Sequence, residues 1–295
     1  MNHPPNGDLP NRVLVTGASG HLGRETTLAL TSLGVAVTGL DRELHEPDNA
    51  RRFEPGWDRF VTASAGDPDA VAEALADADG VVHLAAIPAP TLGTPEEVFG
   101  GNSLATFTVL DAAGRRGVRQ AELASSLSIL GTAFSPEFQT PAYLPLDTAT
   151  PLMVADPYAL SKQADEATAA MATRRYGMTT TALRFPHLGY VDGNLGDTAR
   201  RMDADPSGGA RTLWSYLDLR DAARACVLAL TRPGPGAHVL YLAAGTTLVR
   251  HPTEDLVRTY LPDARVHGAL PGRTVPIDLT PAHDLLAFTT TYSVD

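Results

Sequence analysis

A tyrosine and a lysine stand four residues apart in the stretch "DPYALSKQA", which covers residues 156–164. Helical periodicity places positions i and i+4 on one face, so Tyr158 and Lys162 are expected to point the same way. An ammonium held beside a phenol favours the phenolate, which suits the tyrosine to proton transfer. Lys162 is the only lysine in a chain with many arginines, which indicates that a compact ammonium is needed here. The alternative interpretation is a surface charge on an ordinary helix.

A glycine-rich turn, "TGASGHLG", places Gly17, Gly20 and Gly23 between the first predicted strand and the first predicted helix. Such glycines allow a tight turn, a close approach of a pyrophosphate to the backbone, and close packing of the helix on the strand. Asp41 ends the next predicted strand, where a carboxylate can accept a bond from a ribose 2′-hydroxyl. This favours NAD over NADP, although Arg42 could turn to bind a 2′-phosphate and Asp41 could be a solvated loop carboxylate.

Three serines follow a predicted strand in "LASSLSILG". A hydroxyl at this place could hold the reacting oxygen of a substrate, or it could simply cap the loop. Ser125, Ser126 and Ser128 are all candidates on this reasoning.

Short apolar runs alternate with amphipathic helical segments, which predicts an α/β fold with a doubly wound, Rossmann-type parallel sheet. The pattern loosens after residue 186, so we expect a dinucleotide-binding domain over 1–185. A small substrate-binding lobe over 186–295 is expected to be partly interleaved with it. The predicted strands are 12–17, 35–40, 60–66, 80–86, 121–126, 180–185 and 238–244, and the predicted helices are 21–33, 69–78, 96–116, 157–175 and 219–231.

The composition excludes several classes of protein. A net charge of -11 disfavours a nucleic-acid partner, and the one cysteine, Cys226, cannot form an intrachain disulfide. Cys226 lies in an apolar helical run and is expected to be buried packing. With no signal-peptide pattern and no long apolar run, we expect a cytoplasmic protein. The histidines show no ligand-like clustering, so no metal site is predicted.

Six segments resemble, in order, the extended short-chain dehydrogenase/reductase family, which includes nucleotide-sugar epimerases and dehydratases. They are "TGASGHLG", "GVVHLAA", "NSLATFTVLDAA", "SSLSILG", "YALSK" and "LRFPHLG", and they span roughly residues 12–225. The resemblance implies that Tyr158 is the catalytic acid/base, that Lys162 activates it and that Ser126 holds the substrate oxygen. Asn102 resembles the asparagine that supports the lysine, directly or through water. The family commonly forms homodimers through two helices, which would be 96–116 and 157–175 here.

The same resemblance implies a set of cofactor-binding residues and a set of substrate-binding residues. The cofactor set is Gly17, Ser19, Gly20, His21, Leu22, Gly23, Asp41, Arg42, Asp67, Pro68, Leu84, Ala85, Ala86, Asn102, Tyr158, Lys162 and Pro186. The substrate set is Pro88, Ser126, Leu127, His187 and Arg211.

The chain departs from the family pattern around the substrate. His187 replaces the asparagine usual in nucleotide-sugar enzymes, and the substrate lobe is short. The lobe is most similar to that of uronate dehydrogenases, in which an arginine matching Arg211 binds the substrate carboxylate. Pro88 and Leu127 replace polar residues of that group, so the pocket is expected to be more apolar. Arg211 could also simply pair with an acidic neighbour.

The leading hypothesis is an NAD(P)-dependent oxidoreductase that interconverts a secondary alcohol and a ketone, on a sugar-like or other small hydroxy or keto substrate. An epimerase or dehydratase with tightly bound NAD is the first alternative. The Asp-Glu pair typical of the dehydratases is replaced by Leu127 and Ser128, which disfavours dehydration. A non-enzymatic dinucleotide sensor is the second alternative, and the tyrosine–lysine pair argues against it.

Overall fold

A computed structural model describes residues 9–44 and 56–294 of the chain. Its strands, in chain order, are β1 Arg12–Thr16, β2 Ala36–Asp41, β3 Arg59–Thr62, β4 Gly80–His83, β5 Gln120–Ser126, β6 Tyr143–Leu144, β7 Thr179–Phe185, β8 His187–Gly189, β9 Tyr216–Asp218, β10 Ala237–Tyr241 and β11 Arg265–Val266. Its α-helices are α1 His21–Thr31, α2 Pro68–Ala74, α3 Pro95–Arg115, α4 Pro157–Tyr176, α5 Asn194–Ala204, α6 Leu219–Thr231, α7 Thr253–Tyr260 and α8 Thr280–Leu286.

In the part of the chain that the structure describes, seven parallel strands form the central sheet in the order β10-β7-β5-β4-β1-β2-β3. The strand order reverses between β1 and β4, and parallel sheets of this type bind ligands at such a switch point, outside the carboxyl ends of the strands. The predicted doubly wound Rossmann-type sheet is therefore confirmed. The strand predicted over 60–66 is shorter, because Ser64 turns the chain by accepting a bond from the amide of Gly66 at 3.1 Å.

Helices cover both faces of the sheet. One apolar cluster joins α1 and α6 to one face, and a second joins α2, α3 and α4 to the other. Both clusters consist mainly of Val, Leu and Ala, and burying each large apolar side chain contributes roughly 2 kcal/mol. A third cluster, centred on the buried Trp214, forms the core of the lobe that carries α7.

The C-terminal part of the chain returns to the central sheet. Strand β10 pairs with β7 over Ala237–Tyr241, so residues beyond 186 complete the sheet of the first part. The division into 1–185 and 186–295 remains a prediction. Within the described ranges, no helix is long and apolar enough to cross a bilayer.

One carboxyl group lies in the apolar interior of the sheet. Glu122, on β5, is fully buried and contacts the buried thiol of Cys226 on α6. Burial, opposed by Cys226 and by the charge of Lys162, raises the pKa of Glu122 well above its ordinary value of 4.5. Burial therefore disfavours the ionised form of this carboxyl group in the folded protein. Cys226 is buried packing, as the sequence predicts.

Candidate active site

Helix α4 places the tyrosine and the lysine on one face. Pro157 occupies its first turn, and the carboxylate of Asp156 accepts a bond from the amide of Ala159 at 2.8 Å, which fixes the start of the helix. Both Tyr158 and Lys162 are buried, and the Lys162 Nζ lies 5.8 Å from the centre of the Tyr158 ring. The expected i, i+4 arrangement is present.

Two oxygen atoms hold the ammonium of Lys162. The Nζ donates to the carbonyl of Ala124 at 2.9 Å and to Asp165 Oδ2 at 3.1 Å. Burial lowers the pKa of Lys162, but the negative charge of Asp165 and that of Tyr158 outweigh it and leave the pKa above its ordinary value. Lysine has three N–H donors, so one remains for the cavity that Lys162 lines. Sequence reasoning missed Asp165, although its i+3 spacing from Lys162 was visible.

A chain of polar side chains continues from Asp165 beneath the sheet end. Asp165 interacts with the hydroxyl of Thr106, whose Oγ1 lies 3.1 Å from His83 Nε2, and His83 Nδ1 lies 2.8 Å from Thr16 Oγ1. Burial, together with the charge of Lys162, lowers the pKa of His83 to about 3. His83 is therefore neutral, and the charged side chains in this row of hydrogen-bonded groups are Lys162 and Asp165.

Asn102, on α3, connects two segments that border the cavity. Its Oδ1 accepts a bond from the amide of Ile87 at 2.7 Å, and its Nδ2 donates to the carbonyl of Ile87 and to Ser161 Oγ, both at 3.1 Å. Ser161 directly precedes Lys162 and bonds to the carbonyl of Tyr158 at 2.8 Å. Asn102 thus holds the backbone of α4 around the tyrosine and the lysine.

All three candidate serines line the cavity, but their hydrogen bonds differ. Ser126 ends β5, lines the cavity, and its Oγ accepts a bond from the amide of Ser128 at 3.1 Å. Ser125 instead donates to Glu166 Oε1 at 2.7 Å, and Glu166 also receives two bonds from Arg184 at 2.8 Å. Ser125 is therefore committed to a neighbouring ion pair, and Ser126 is the hydroxyl best placed for a substrate oxygen.

A cavity of about 850 Å³ joins these residues to the glycine-rich turn. It lies at the carboxyl ends of the central strands, where the topology predicts a ligand site. Most of the predicted site residues line it: Gly17, Gly20, His21, Leu22, Gly23, Asp41, Arg42, Leu84, Ala85, Ala86, Pro88, Asn102, Ser126, Leu127, Tyr158, Lys162, Pro186 and His187. Ser19, Asp67, Pro68 and Arg211 do not.

One end of the cavity suits a pyrophosphate. Gly17 has φ +65°, and a Cβ there would lie 2.8 Å from the backbone of Leu84, so only glycine is tolerated. Gly20 caps α1 without a side-chain hydrogen bond, and the first turn carries no acidic residue. The amide groups of this helix end, at His21 and Leu22, therefore face the cavity with the positive end of the helix dipole. The residues present fit a dinucleotide.

Asp41 is fixed at the end of β2. Its Oδ2 accepts bonds from the amide and the hydroxyl of Ser19 at 3.0 and 2.7 Å, and its Oδ1 accepts one from the amide of Arg42 at 2.8 Å. Ser19 is buried, so its place in the site is to orient the carboxylate of Asp41.

Three other predicted residues lie outside the cavity lining. Asp67 caps α2 by accepting bonds from the amides of Asp69 and Ala70, and Pro68 is the first residue of that helix. Arg211 donates to the backbone carbonyls of Thr132 and Ser135 at 3.2 and 2.8 Å. Asp67, Pro68 and Arg211 are therefore not among the described residues that line the cavity.

Phe134, which no sequence pattern identified as a site residue, lies beside Tyr158. The rings of Phe134 and Tyr158 are 6.0 Å apart at 85°, an edge-to-face arrangement. Phe134, Ala133 and Thr212 line the cavity with Leu127 and Pro88. No sequence spacing connects Phe134 to α4, because the contact depends on how the loop after β5 folds back.

The family model for the NAD dependent epimerase/dehydratase family matches residues 13–243. The chain therefore belongs to this family of enzymes, which confirms the resemblance to extended short-chain dehydrogenases/reductases.

Two curated relatives and one solved structure illustrate its position in the family. A uronate dehydrogenase of Pseudomonas syringae pv. tomato is 26% identical over 78% of this chain and 74% of its own. A 3-diazoavenalumate denitrifying reductase of a Streptomyces species is 30% identical over 92% of this chain and 86% of its own. A short-chain dehydrogenase/reductase superfamily protein of Agrobacterium tumefaciens, solved with bound NAD, has a TM-score of 0.69 and 23% identity, covering 96% of this chain and 94% of that one. The last likeness concerns the fold.

Proposed function

We propose that the protein is an NAD(P)-dependent oxidoreductase that interconverts a secondary alcohol and a ketone, with Tyr158 as the acid/base. The observation that carries this proposal is the shared face of α4, from which Tyr158 and Lys162 both reach one cavity with the glycine-rich turn. When bound, the nicotinamide would give or accept the hydride.

The side chains of the site would divide the remaining work. Tyr158 donates a proton to the substrate oxygen during reduction and removes it during oxidation. Ser126 donates a hydrogen bond to the same oxygen as charge develops on it. Lys162, held by Ala124 and Asp165, favours the phenolate by its positive charge and reaches the ribose hydroxyls with its remaining donor.

We propose NAD rather than NADP as the cofactor. Asp41 places a carboxylate at the end of β2, where it can accept bonds from the ribose hydroxyls and repels a 2′-phosphate. The NAD bound to the Agrobacterium protein of the same fold supports this choice.

The test is a Tyr158→Phe variant, assayed by cofactor absorbance with NAD and with NADP, each with a panel of sugar acids and small alcohols. Turnover should fall by about two to four orders of magnitude, because general acid–base catalysis is removed, while NAD binding by calorimetry stays within about threefold. Tyr143→Phe is the matched control. Tyr143 does not line the cavity, and its hydroxyl donates a hydrogen bond of 2.6 Å to Asp147. Wild-type activity in the Tyr158 variant rules the proposal out.

A nucleotide-sugar epimerase that retains its NAD is the second candidate, and the family model that matches this chain supports it. The two relatives described above are named as a dehydrogenase and a reductase, which favours net oxidation or reduction. NAD that copurifies in equimolar amount, with no net absorbance change on adding substrate, would favour the epimerase.

We also propose a homodimer formed through α3 and α4, which pack against each other. Leu104, Phe107 and Leu160 on these helices are exposed apolar side chains that a second copy would cover.

A further inference from the structure

The substrate end of the cavity is poor in charge. Among the described residues that line the cavity, the ionisable ones are His21, Asp41, Arg42, Tyr158, Lys162 and His187. His21 belongs to the glycine-rich turn, Asp41 and Arg42 lie beside that turn at the end of β2, and Tyr158 and Lys162 serve the reaction. His187 alone remains for the substrate. Desolvation, and then the charge of Arg201, lower the pKa of His187 from its ordinary value of 6.5, which disfavours its charged form.

Arg211 does not line the cavity, and its guanidinium hydrogen-bonds to the backbone of a neighbouring loop. Its Nη1 donates to the carbonyls of Thr132 and Ser135, the residues on either side of Ala133 and Phe134. The hydroxyl of Thr132 in turn donates to the carbonyl of Arg211 at 2.6 Å. These three bonds clamp the loop that carries Phe134, so Arg211 is engaged with backbone oxygens and does not present a cation to a substrate carboxylate.

The clamped loop presents an aromatic ring next to the reacting phenol. Phe134 meets Tyr158 edge to face, and the neighbouring wall is formed by carbon-rich side chains: Ile87, Pro88, Leu127, Ala133 and Leu188. Sugar acids and nucleotide sugars need several hydrogen-bond donors or cations for their hydroxyl, carboxylate or phosphate groups. A flat apolar group fills this space without leaving such groups unpaired.

We propose that the site takes an aryl carbinol or aryl ketone, in which an aromatic ring adjoins the carbon that exchanges hydride. Phe134 contacts that ring, and Arg211 is the positioning residue that holds Phe134 in place. This inference rests on the proposed function. In the oxidation, the hydride leaves the carbinol carbon for NAD⁺ and the hydroxyl proton goes to Tyr158, so alcohol and NAD⁺ give ketone, NADH and a proton.

The test compares three compounds in the same direction, with NAD⁺: 1-phenylethanol, its saturated analogue 1-cyclohexylethanol, and galacturonate. We expect the kcat/KM for 1-phenylethanol to exceed that for 1-cyclohexylethanol by about threefold to tenfold, the contribution of an aromatic pair. The kcat/KM for 1-phenylethanol should exceed that for galacturonate by a larger factor than it exceeds that for 1-cyclohexylethanol. A preference for galacturonate, or equal values for the phenyl and cyclohexyl compounds, overturns the inference.

Variants locate the effect. Phe134→Leu should raise the KM for 1-phenylethanol about threefold to tenfold with little change for 1-cyclohexylethanol, and Phe134→Tyr should restore it. Arg211→Gln should raise the same KM while leaving kcat within about twofold, because it frees the loop without touching the reacting atoms. Phe99→Leu is the matched control: Phe99 and Phe134 are equally exposed, at 38%, and Phe99 lies on α3 outside the cavity lining. Equal effects of the Phe99 and Phe134 substitutions refute the assignment.

The two proposals fail in different ways. Activity that survives in Tyr158→Phe refutes the chemistry, whereas loss of activity in that variant together with a preference for galacturonate refutes only the substrate class. If none of the three compounds is turned over, saturation-transfer NMR on the NAD⁺-loaded protein decides the question. Binding of 1-phenylethanol that weakens in Phe134→Leu supports the inference, and binding that is unchanged in this variant contradicts it.

Discussion

Replacing Asp165 with asparagine should strongly destabilise the fold, because it leaves the only lysine buried without its counter-charge. Lys162 Nζ and Asp165 Oδ2 are 3.1 Å apart, and two unit charges at that distance attract by about 5 kcal/mol at an effective dielectric constant of about 20. Desolvation offsets most of this attraction in the intact pair. Removing one partner keeps the desolvation cost of the other and typically costs about 3–5 kcal/mol.

The assay is urea unfolding followed by circular dichroism at pH 7, supported by a thermal scan. We expect the free energy of unfolding to fall by about 3–5 kcal/mol and the Tm to fall on the order of 10 °C. Asp255→Asn is the control, since Asp255 pairs with Arg258 at the same i, i+3 spacing and 2.7 Å, but with 59% and 73% of the side chains exposed. That variant should stay within about 0.5 kcal/mol of the wild type.

The loss should also depend on pH in a defined direction. In the wild type the pKa of Lys162 is raised above 10.5, so its contribution to stability is complete below pH 10.5 and is lost as the pH rises through the folded-state value. Without Asp165, burial lowers the pKa of Lys162 and the variant gains stability as the pH approaches 10.5. The difference between the two proteins is therefore greatest near neutral pH and narrows in alkali. A Lys162→Met/Asp165→Asn double variant should recover part of the loss. If Asp165→Asn loses no more stability than Asp255→Asn, the ion pair does not have the role described.

Three further substitutions test other parts of the structure. Glu122→Gln should flatten the pH dependence of stability, because the raised pKa of Glu122 makes wild-type stability fall by up to about 1.4 kcal/mol per pH unit above pH 4.5. If the urea midpoint changes equally between pH 5 and pH 8 in both proteins, the pKa of Glu122 is not raised. Gly17→Ala should weaken NAD binding at least tenfold, as measured by calorimetry, because residue 17 has φ +65° and an added Cβ would lie 2.8 Å from the backbone of Leu84. Unchanged affinity would argue against this turn as the pyrophosphate site. Phe107→Glu should convert the proposed dimer into a monomer in analytical ultracentrifugation, and a wild-type protein that already sediments as a monomer would refute that interface.

Local patterns in the sequence predict much of this fold and site. The strands and helices through residue 185 follow from apolar periodicity, and the helix with the sequence "PYALSK" begins where Asp156 and Pro157 indicate. Tyr158 and Lys162 are found because their spacing is local. Ser126 is distinguished from Ser125 only by the ion pair of Glu166 with Arg184, which no spacing shows.

Contacts between distant segments explain what the sequence left out. Arg211 carries a charge suited to a carboxylate, but its partners are carbonyls 76 and 79 residues away, and only the folded loop reveals them. Phe134 is an ordinary loop residue until that loop meets α4. Asp165 differs from these, because its position one turn beyond Lys162 was readable and its importance depends on the burial that the fold imposes.

Because the protein has a single lysine, chemical modification of that side chain can report whether the cavity is occupied. Lys162 is the only side-chain amine in the chain, and it lies buried at the edge of the cavity, hydrogen-bonded to Ala124 and Asp165. An amine-directed reagent can therefore modify one side chain, and it can do so only when the cavity admits it. The rate of that modification measures occupancy of the site directly, without a substrate, and mass spectrometry of a single peptide is enough to read it.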